Sequence, residues 1–199
     1  MAARSFAPTD RNIRGLHTVA RATAHARRHI LRRRVAVVAP KVADAVRYTG
    51  GWLYDQVAAG WEVVVVVPQS SDLRPFEILG ATKAVDLESA LSSAPYGPMP
   101  DMVAVAADLY ASDDRIRNGV LEAMSDSPTT VALWGENVPS ELDSRIVPLQ
   151  HRLSRAAQVF KSHALAAAAA PATAIAATES FLTGGADTLR MRGNLVSMA

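Results

Sequence analysis

The chain has 199 residues, 49% of them hydrophobic, and a formal net charge of +2, enough for one α/β domain with a core of its own. It contains no cysteine, which excludes a disulfide scaffold, a thiolate zinc site and a thiol nucleophile. The longest weakly polar stretch, Ala164 to Ala177, is broken by Pro171 and is too short to span a bilayer.

The charge is divided unevenly. Residues 1–34 hold nine arginines and a single acid, Asp10, a net of +8; the remainder carries twelve basic and eighteen acidic side chains, a net of −6. Such a split predicts a basic arm, 1–34, on a mildly acidic body. Ile13, Leu16 and Ala20 follow Asp10 at helical spacing, so the arm reads as a helix. Three roles are open for it: a solvated or partner-docked helix, an organellar presequence, or an arm for nucleic acid or another anionic surface. In the last, Arg21, Arg27, Arg28, Arg32, Arg33 and Arg34 would neutralise phosphates. No apolar segment follows the first basic residues as a secretory signal requires, and the expected location is cytoplasmic.

Past Arg34 the pattern changes. Val35 to Ala39 is a short apolar run ending at Pro40, as in a strand buried on both faces. Val42, Val46, Leu53 and Val57 fall at helical intervals through 42–59, and Gly50-Gly51 interrupts them as a turn or a close approach to a ligand. Gly60 closes that helix, and Trp61 to Val67, with five successive valines, is a central parallel strand. Pro75 to Leu79 is expected as a short strand and Asp86 to Ser92 as a short helix capped by Asp86. Met102 to Ala107 and Thr129 to Trp134 are further strands, separated by a helix over 112–124. Pro148 is expected to open the last helix, with Leu149, Leu153, Ala156 and Phe160 as its core stripe. Residues 183–199 read as a peripheral tail hinged at Gly184-Gly185.

Strands alternating with helices predict a single open, mostly parallel sheet with helices on both faces, Rossmann-like, over 35–182. The run Gly50-Gly51-Trp52, followed by Val57-Ala58-Ala59-Gly60-Trp61 and the valines to Pro68, resembles the opening of the amino-terminal half of two-domain (GT-B) glycosyltransferases. There a Gly-Gly turn follows the first strand, and a helix ends in Gly before a Val-rich second strand. The resemblance implies the same doubly wound fold.

In such a sheet, ligands sit beyond the carboxyl ends of the strands. The candidate ligand residues are therefore Lys41, Gly50 and Gly51 after the first strand, Asp72 and Arg74 after the second, Asp108 after the fourth, and Glu136 and Asn137 after the last. They suit a phosphorylated or sugar-like ligand. The sequence has no P-loop, no dinucleotide fingerprint, no Gly-x-Ser-x-Gly elbow and no metal-ligand spacing, so neither cofactor nor metal is expected. Asp113-Asp114 reads as a helix cap. With no catalytic signature in view, the expectation is a non-catalytic regulatory or assembly protein whose arm meets a protein partner or nucleic acid. The alternative is a small enzyme or ligand-binding domain acting at the strand ends.

Overall fold

The structure is a computed structural model that describes residues 33–92, 99–126, 128–136, 140–142, 144–170 and 174–184. Arg21, Arg27, Arg28, Arg32 and Asn137 lie outside the described residues, as do the arm's expected helix and the segment from Gly185 onward. The described residues, 33 to 184, form one compact unit.

Its centre is a seven-stranded sheet. The apolar runs form β1 (Arg34–Val38), β2 (Glu62–Val67), β4 (Met102–Ala106) and β5 (Thr130–Trp134), with the short β3 (Lys83–Asp86) beside β2. These five are parallel, in the order β3-β2-β1-β4-β5. Two antiparallel strands extend the sheet past β5: first β7 (Thr178–Gly184), then β6 (Val147–Arg152) at the edge. Val35, Val37, Val65, Ala104, Val131 and Leu133 are each at most 1% exposed, as a sheet covered on both faces requires.

Helix α1 (Val42–Ala58) follows β1, α2 (Arg74–Ile78) follows β2, and α3 (Leu87–Ser92) follows β3. Helices α4 (Ala107–Ser112) and α5 (Asp114–Asp126) join β4 to β5, and α6 (Arg155–Ala167) joins β6 to β7. α1, α2 and α6 pack on one another, while α4 and α5 pair separately beside β4 and β5. Gly60, at φ +87°, ends α1 and turns the chain into β2, a backbone state that favours glycine.

Several expectations change. Pro75 to Leu79 lies in a helix, because Pro75 fits a first helical turn and the Asp72 carboxylate accepts the Arg74 N–H at 3.0 Å. Pro148 sits in edge strand β6, where its missing N–H costs no ladder bond. The last helix starts instead at Ser154, whose hydroxyl accepts the Ala157 N–H at 3.0 Å. Its buried side is Ala157, Lys161, Ala164 and Leu165; Ala156 and Phe160 are exposed, and Phe160 stacks on Tyr54 at 4.6 Å. Gly184 is no hinge: it ends β7 opposite Val131, and a β-carbon there would meet Met124 and, at 2.7 Å, the Arg145 carbonyl. Gly50-Gly51 makes no turn either: both residues are buried inside the unbroken α1, so the Gly-Gly turn of the glycosyltransferase resemblance is missing, while its other feature, a glycine ending the helix before the Val-rich strand, is present at Gly60.

The capping expectations hold. The Asp86 carboxylate accepts the Ser89 N–H at 2.9 Å, and Asp113 accepts that of Arg115 at 2.9 Å. The Arg115 guanidinium also holds the Asp113 carboxyl down at about 2.

Tyr110, fully buried on α4, donates its hydroxyl to Glu141 at 2.7 Å. Burial first, then that bond, push the phenol up to about 12 from the ordinary 10.0. The folded chain thus keeps a proton that the unfolded chain loses above pH 10, and stability falls as pH climbs through that window. Tyr110→Phe is expected to shrink the loss of thermal stability between pH 10 and 12, read by circular dichroism. Equal slopes in the two chains would show that Tyr110 does not titrate with unfolding.

Candidate functional site

The strand order reverses direction between β1 and β4, the switch point at which open parallel sheets bind ligands beyond the carboxyl ends of their strands. A cavity of about 130 Å³ opens there. Pro40 reaches it from the end of β1, Ala106 to Asp108 from the end of β4, and Trp134 to Glu136 from the end of β5. Helix α1 adds Asp44 and Tyr48, four residues apart and hence on one face.

The polar centre of the cavity is a pair. The Tyr48 hydroxyl donates to Glu136 Oε1 at 3.0 Å. Burial, then this bond to a carboxylate, raise the Tyr48 phenol above its usual range, so at neutral pH it stays a donor. Glu136 is exposed, and Gly135 before it adopts φ +110°. That left-handed residue turns the chain off β5 and sets Glu136 within reach of Tyr48. The Tyr48 and Trp134 rings lie 5.9 Å apart at 31°. Trp134 is 2% exposed, and its buried indole N–H has no hydrogen-bond partner among the described residues. Among the described residues, three carboxylates, Asp44, Asp108 and Glu136, line the cavity, and no cationic side chain does.

The structure brings together only part of the expected site. Asp108 and Glu136 face the cavity. Lys41 precedes α1 with its side chain exposed and making no cap bond. Gly50 and Gly51 are buried within α1, against side chains of Lys161 and Leu153. Asp72 and Arg74 shape the start of α2. A separate open depression near the ends of β2 and β3 is lined instead by residues 68–70 and 86–88. Arg33 and Arg34, expected on the arm, belong to the body: the Arg33 guanidinium lies 5.0 Å over the Trp61 ring, and Arg34 opens β1 and pairs with Glu62 at 3.3 Å.

Tyr48 and Trp134 are the additions, beside Asp44, which the sequence already places after the first strand. The four-residue spacing of Asp44 and Tyr48 was readable in the sequence. Their meeting with Trp134 was not, because it depends on β1, β4 and β5 lying side by side.

No family model and no curated protein matches the sequence. Solved structures do share its fold. The chain superposes on a teicoplanin deacetylase in complex with teicoplanin, with a TM-score of 0.53 at 12% identity over 77% of this chain and 99% of that one. The A40926 pseudoaglycone deacetylase Dbv21 gives 0.50 at 16% identity over 69% and 81%. A zinc-inhibited form of teicoplanin deacetylase Orf2 gives 0.51 at 12% identity over 78% and 99%.

Zinc invites a test of the residues here. Among those described, no group of three or more His, Cys, Asp or Glu is placed to hold a metal ion, so this crevice does not fit such a centre. No described helix is long and apolar enough to cross a membrane.

The likeness corrects the expectation of a non-catalytic regulatory or nucleic-acid-binding protein, because the solved chains that share the fold are named as enzymes. The absence of a contiguous motif had pointed the other way. A crevice assembled from the ends of three strands and one helix leaves none to find. Residues 33–184 have the α/β fold of these deacetylases.

Proposed function

We propose that the chain is a small α/β enzyme that takes a sugar-like ligand into the crevice beyond β1, β4 and β5. The observation that carries the reading is the Tyr48–Glu136 hydrogen bond at the mouth of the switch-point cavity. A carboxylate with one oxygen held by a phenol and the other available is suited to accept or return a proton at a bound hydroxyl or amide. Glu136 is assigned that acid–base role, and Tyr48 is its positioning partner. The aromatic wall supplies an apolar face for a sugar ring.

Between the two ligand classes expected from the sequence, the lining favours the sugar. A phosphate would meet the carboxylates of Asp44 and Glu136, and among the described residues no cationic side chain lines the cavity; like charges in a half-buried pocket repel strongly.

Thermal unfolding against a panel of neutral sugars, amino sugars and sugar phosphates tests this. At about a hundredfold excess over Kd, a fitting sugar is expected to raise the Tm by roughly 5 °C or more. Glu136→Gln and Tyr48→Phe should reduce that shift while leaving the unliganded Tm within about 2 °C, since both side chains lie at the crevice mouth. A response confined to sugar phosphates, or to no sugar at all, overturns the reading.

A further inference from the structure

The outer edge of the sheet and the start of α6 meet in a groove that shares no lining residue with the switch-point crevice. β6 is the last strand in the sheet order, and among the described residues no strand pairs with its outer side. The Leu153 N–H donates to the Ala177 carbonyl at 2.9 Å, and residues 147 to 152 pair with β7 in the same register. Bonded and unbonded pairs alternate along an antiparallel ladder. Val147, Leu149 and His151 therefore bond inward, while Pro148, Gln150 and Arg152 turn their backbone groups outward. Pro148 has no N–H to offer. The open donors of this edge are those of Gln150 and Arg152, where the strand runs into the groove.

The charge of the groove, a second and independent observation, has one sign. Arg152 and Arg155 line its volume of about 600 Å³, both exposed. Among the described residues neither guanidinium has a hydrogen-bond or ion-pair partner. No described acid lines the groove, and the first turn of α6, where Arg155 stands, holds none. A helix start already carries positive partial charge, so both cations are left without an offset. Beside them the lining is apolar at Leu153, Ile175 and Val159, the last 54% exposed.

We infer that this edge and groove dock an extended acidic segment of a partner protein, added to β6 as a further antiparallel strand. The partner's backbone bonds to Gln150 and Arg152, as in strand addition to any open sheet edge. An acidic side chain opposite Arg152 then lies on the same face as its guanidinium, Arg155 takes a second carboxylate, and Val159 gives an apolar contact. Charge complementarity selects the acids, and the open edge selects the extended backbone. A compact anion satisfies only the first.

Titration calorimetry at low salt, with a capped hexapeptide of alternating valine and glutamate as the probe, tests both halves of the inference. The counterpart with glutamine in place of glutamate is expected to bind about tenfold more weakly or worse. Arg152→Gln with Arg155→Gln should cost the glutamate peptide about the same factor while leaving the unliganded Tm within about 2 °C, since both side chains are exposed. Methylating the peptide's backbone nitrogens keeps its charge and removes its donors, and should again weaken binding about tenfold. Gln150→Pro, which takes one outward donor from the edge as Pro148 already does, should weaken it about threefold or more. Equal binding of the glutamate and glutamine peptides, or no loss in the arginine variant, overturns the charge assignment. Full affinity for the methylated peptide overturns strand addition. Sodium phosphate that displaces the peptide beyond the effect of sodium chloride at equal ionic strength makes the groove a small-anion site instead. No binding by the unsubstituted chain overturns the docking surface and leaves the reading of the crevice untouched.

Discussion

Lys161→Met is expected to destabilise the fold by about 3–5 kcal/mol, measured by urea unfolding at pH 8, a loss typical of a buried pair stripped of one partner. Lys161 lies on α6 and Glu179 on β7, each 4% exposed, with Nζ and Oε1 2.6 Å apart. The carboxylate does more than pair. Its Oε1 accepts the Gly51 N–H at 2.9 Å and its Oε2 the Trp52 N–H at 2.7 Å. One side chain of β7 therefore ties down the middle of α1, and Lys161 supplies the charge that lets it stay ionised there. Without the ammonium, the carboxylate would be left in an apolar surround, where a charge is costly.

The pH dependence follows from burial, which pushes the Glu179 carboxyl upward against the pull of Lys161 and the two backbone donors. In Lys161→Met the strongest opposing pull is gone, and the folded chain holds a proton that the unfolded chain releases above its ordinary 4.5. Folded-state protons exceed unfolded-state protons from there upward, so stability declines with rising pH. The loss caused by Lys161→Met is thus expected to be smaller at pH 4.5 than at pH 8. Adding Glu179→Gln should recover much of it at pH 8, because the carboxamide oxygen still accepts from α1 and carries no charge. A loss below about 1 kcal/mol, or no recovery in the double variant, would show that the pair does not neutralise Glu179 as described.

The four strands visible in the sequence share one property: each holds a continuous apolar run, Val35–Ala39, Val63–Val67, Met102–Ala107 and Val131–Trp134, and both faces of each are covered. The three that escaped notice depend on their neighbours. β3 is an exposed edge of four residues carrying a lysine. β6 contains a proline that reads as a helix start, and β7 spells Thr-Glu-Ser-Phe-Leu-Thr-Gly. No local pattern reveals that Glu179 is an interior residue, since its burial is made tolerable by Lys161, eighteen residues away on α6. The candidate site divides the same way. Asp108 and Glu136 could be placed from the strand ends alone. Asp72 and Arg74 also follow a strand, but local hydrogen bonding takes them into the start of a helix.

The same substitution in two helices should have opposite signs. Gly119→Ala, inside α5, is expected to stabilise the chain by about 0.5–1 kcal/mol, the ordinary helical preference for Ala over Gly, because a β-carbon there meets nothing within 4 Å. Gly51→Ala, inside α1, brings the same preference. However, its β-carbon would stand 2.5 Å from both δ-carbons and 3.0 Å from Cγ of Leu153, which is buried at 5% exposure. Overpacking of that kind costs about 1–3 kcal/mol, so the collision outweighs the propensity and the net change is a loss of about 1–2 kcal/mol. The missing side chain at 51 lets α1 come close to the start of α6 while its N–H points at Glu179. Leu153→Ala alone empties a core site and should cost about 2–5 kcal/mol. In combination with Gly51→Ala the two losses should fall short of additive by at least 1 kcal/mol, because each removes the reason for the other. Urea unfolding of the four variants decides it: if Gly51→Ala and Gly119→Ala move stability in the same direction, close packing at Leu153 is not what holds position 51 to glycine.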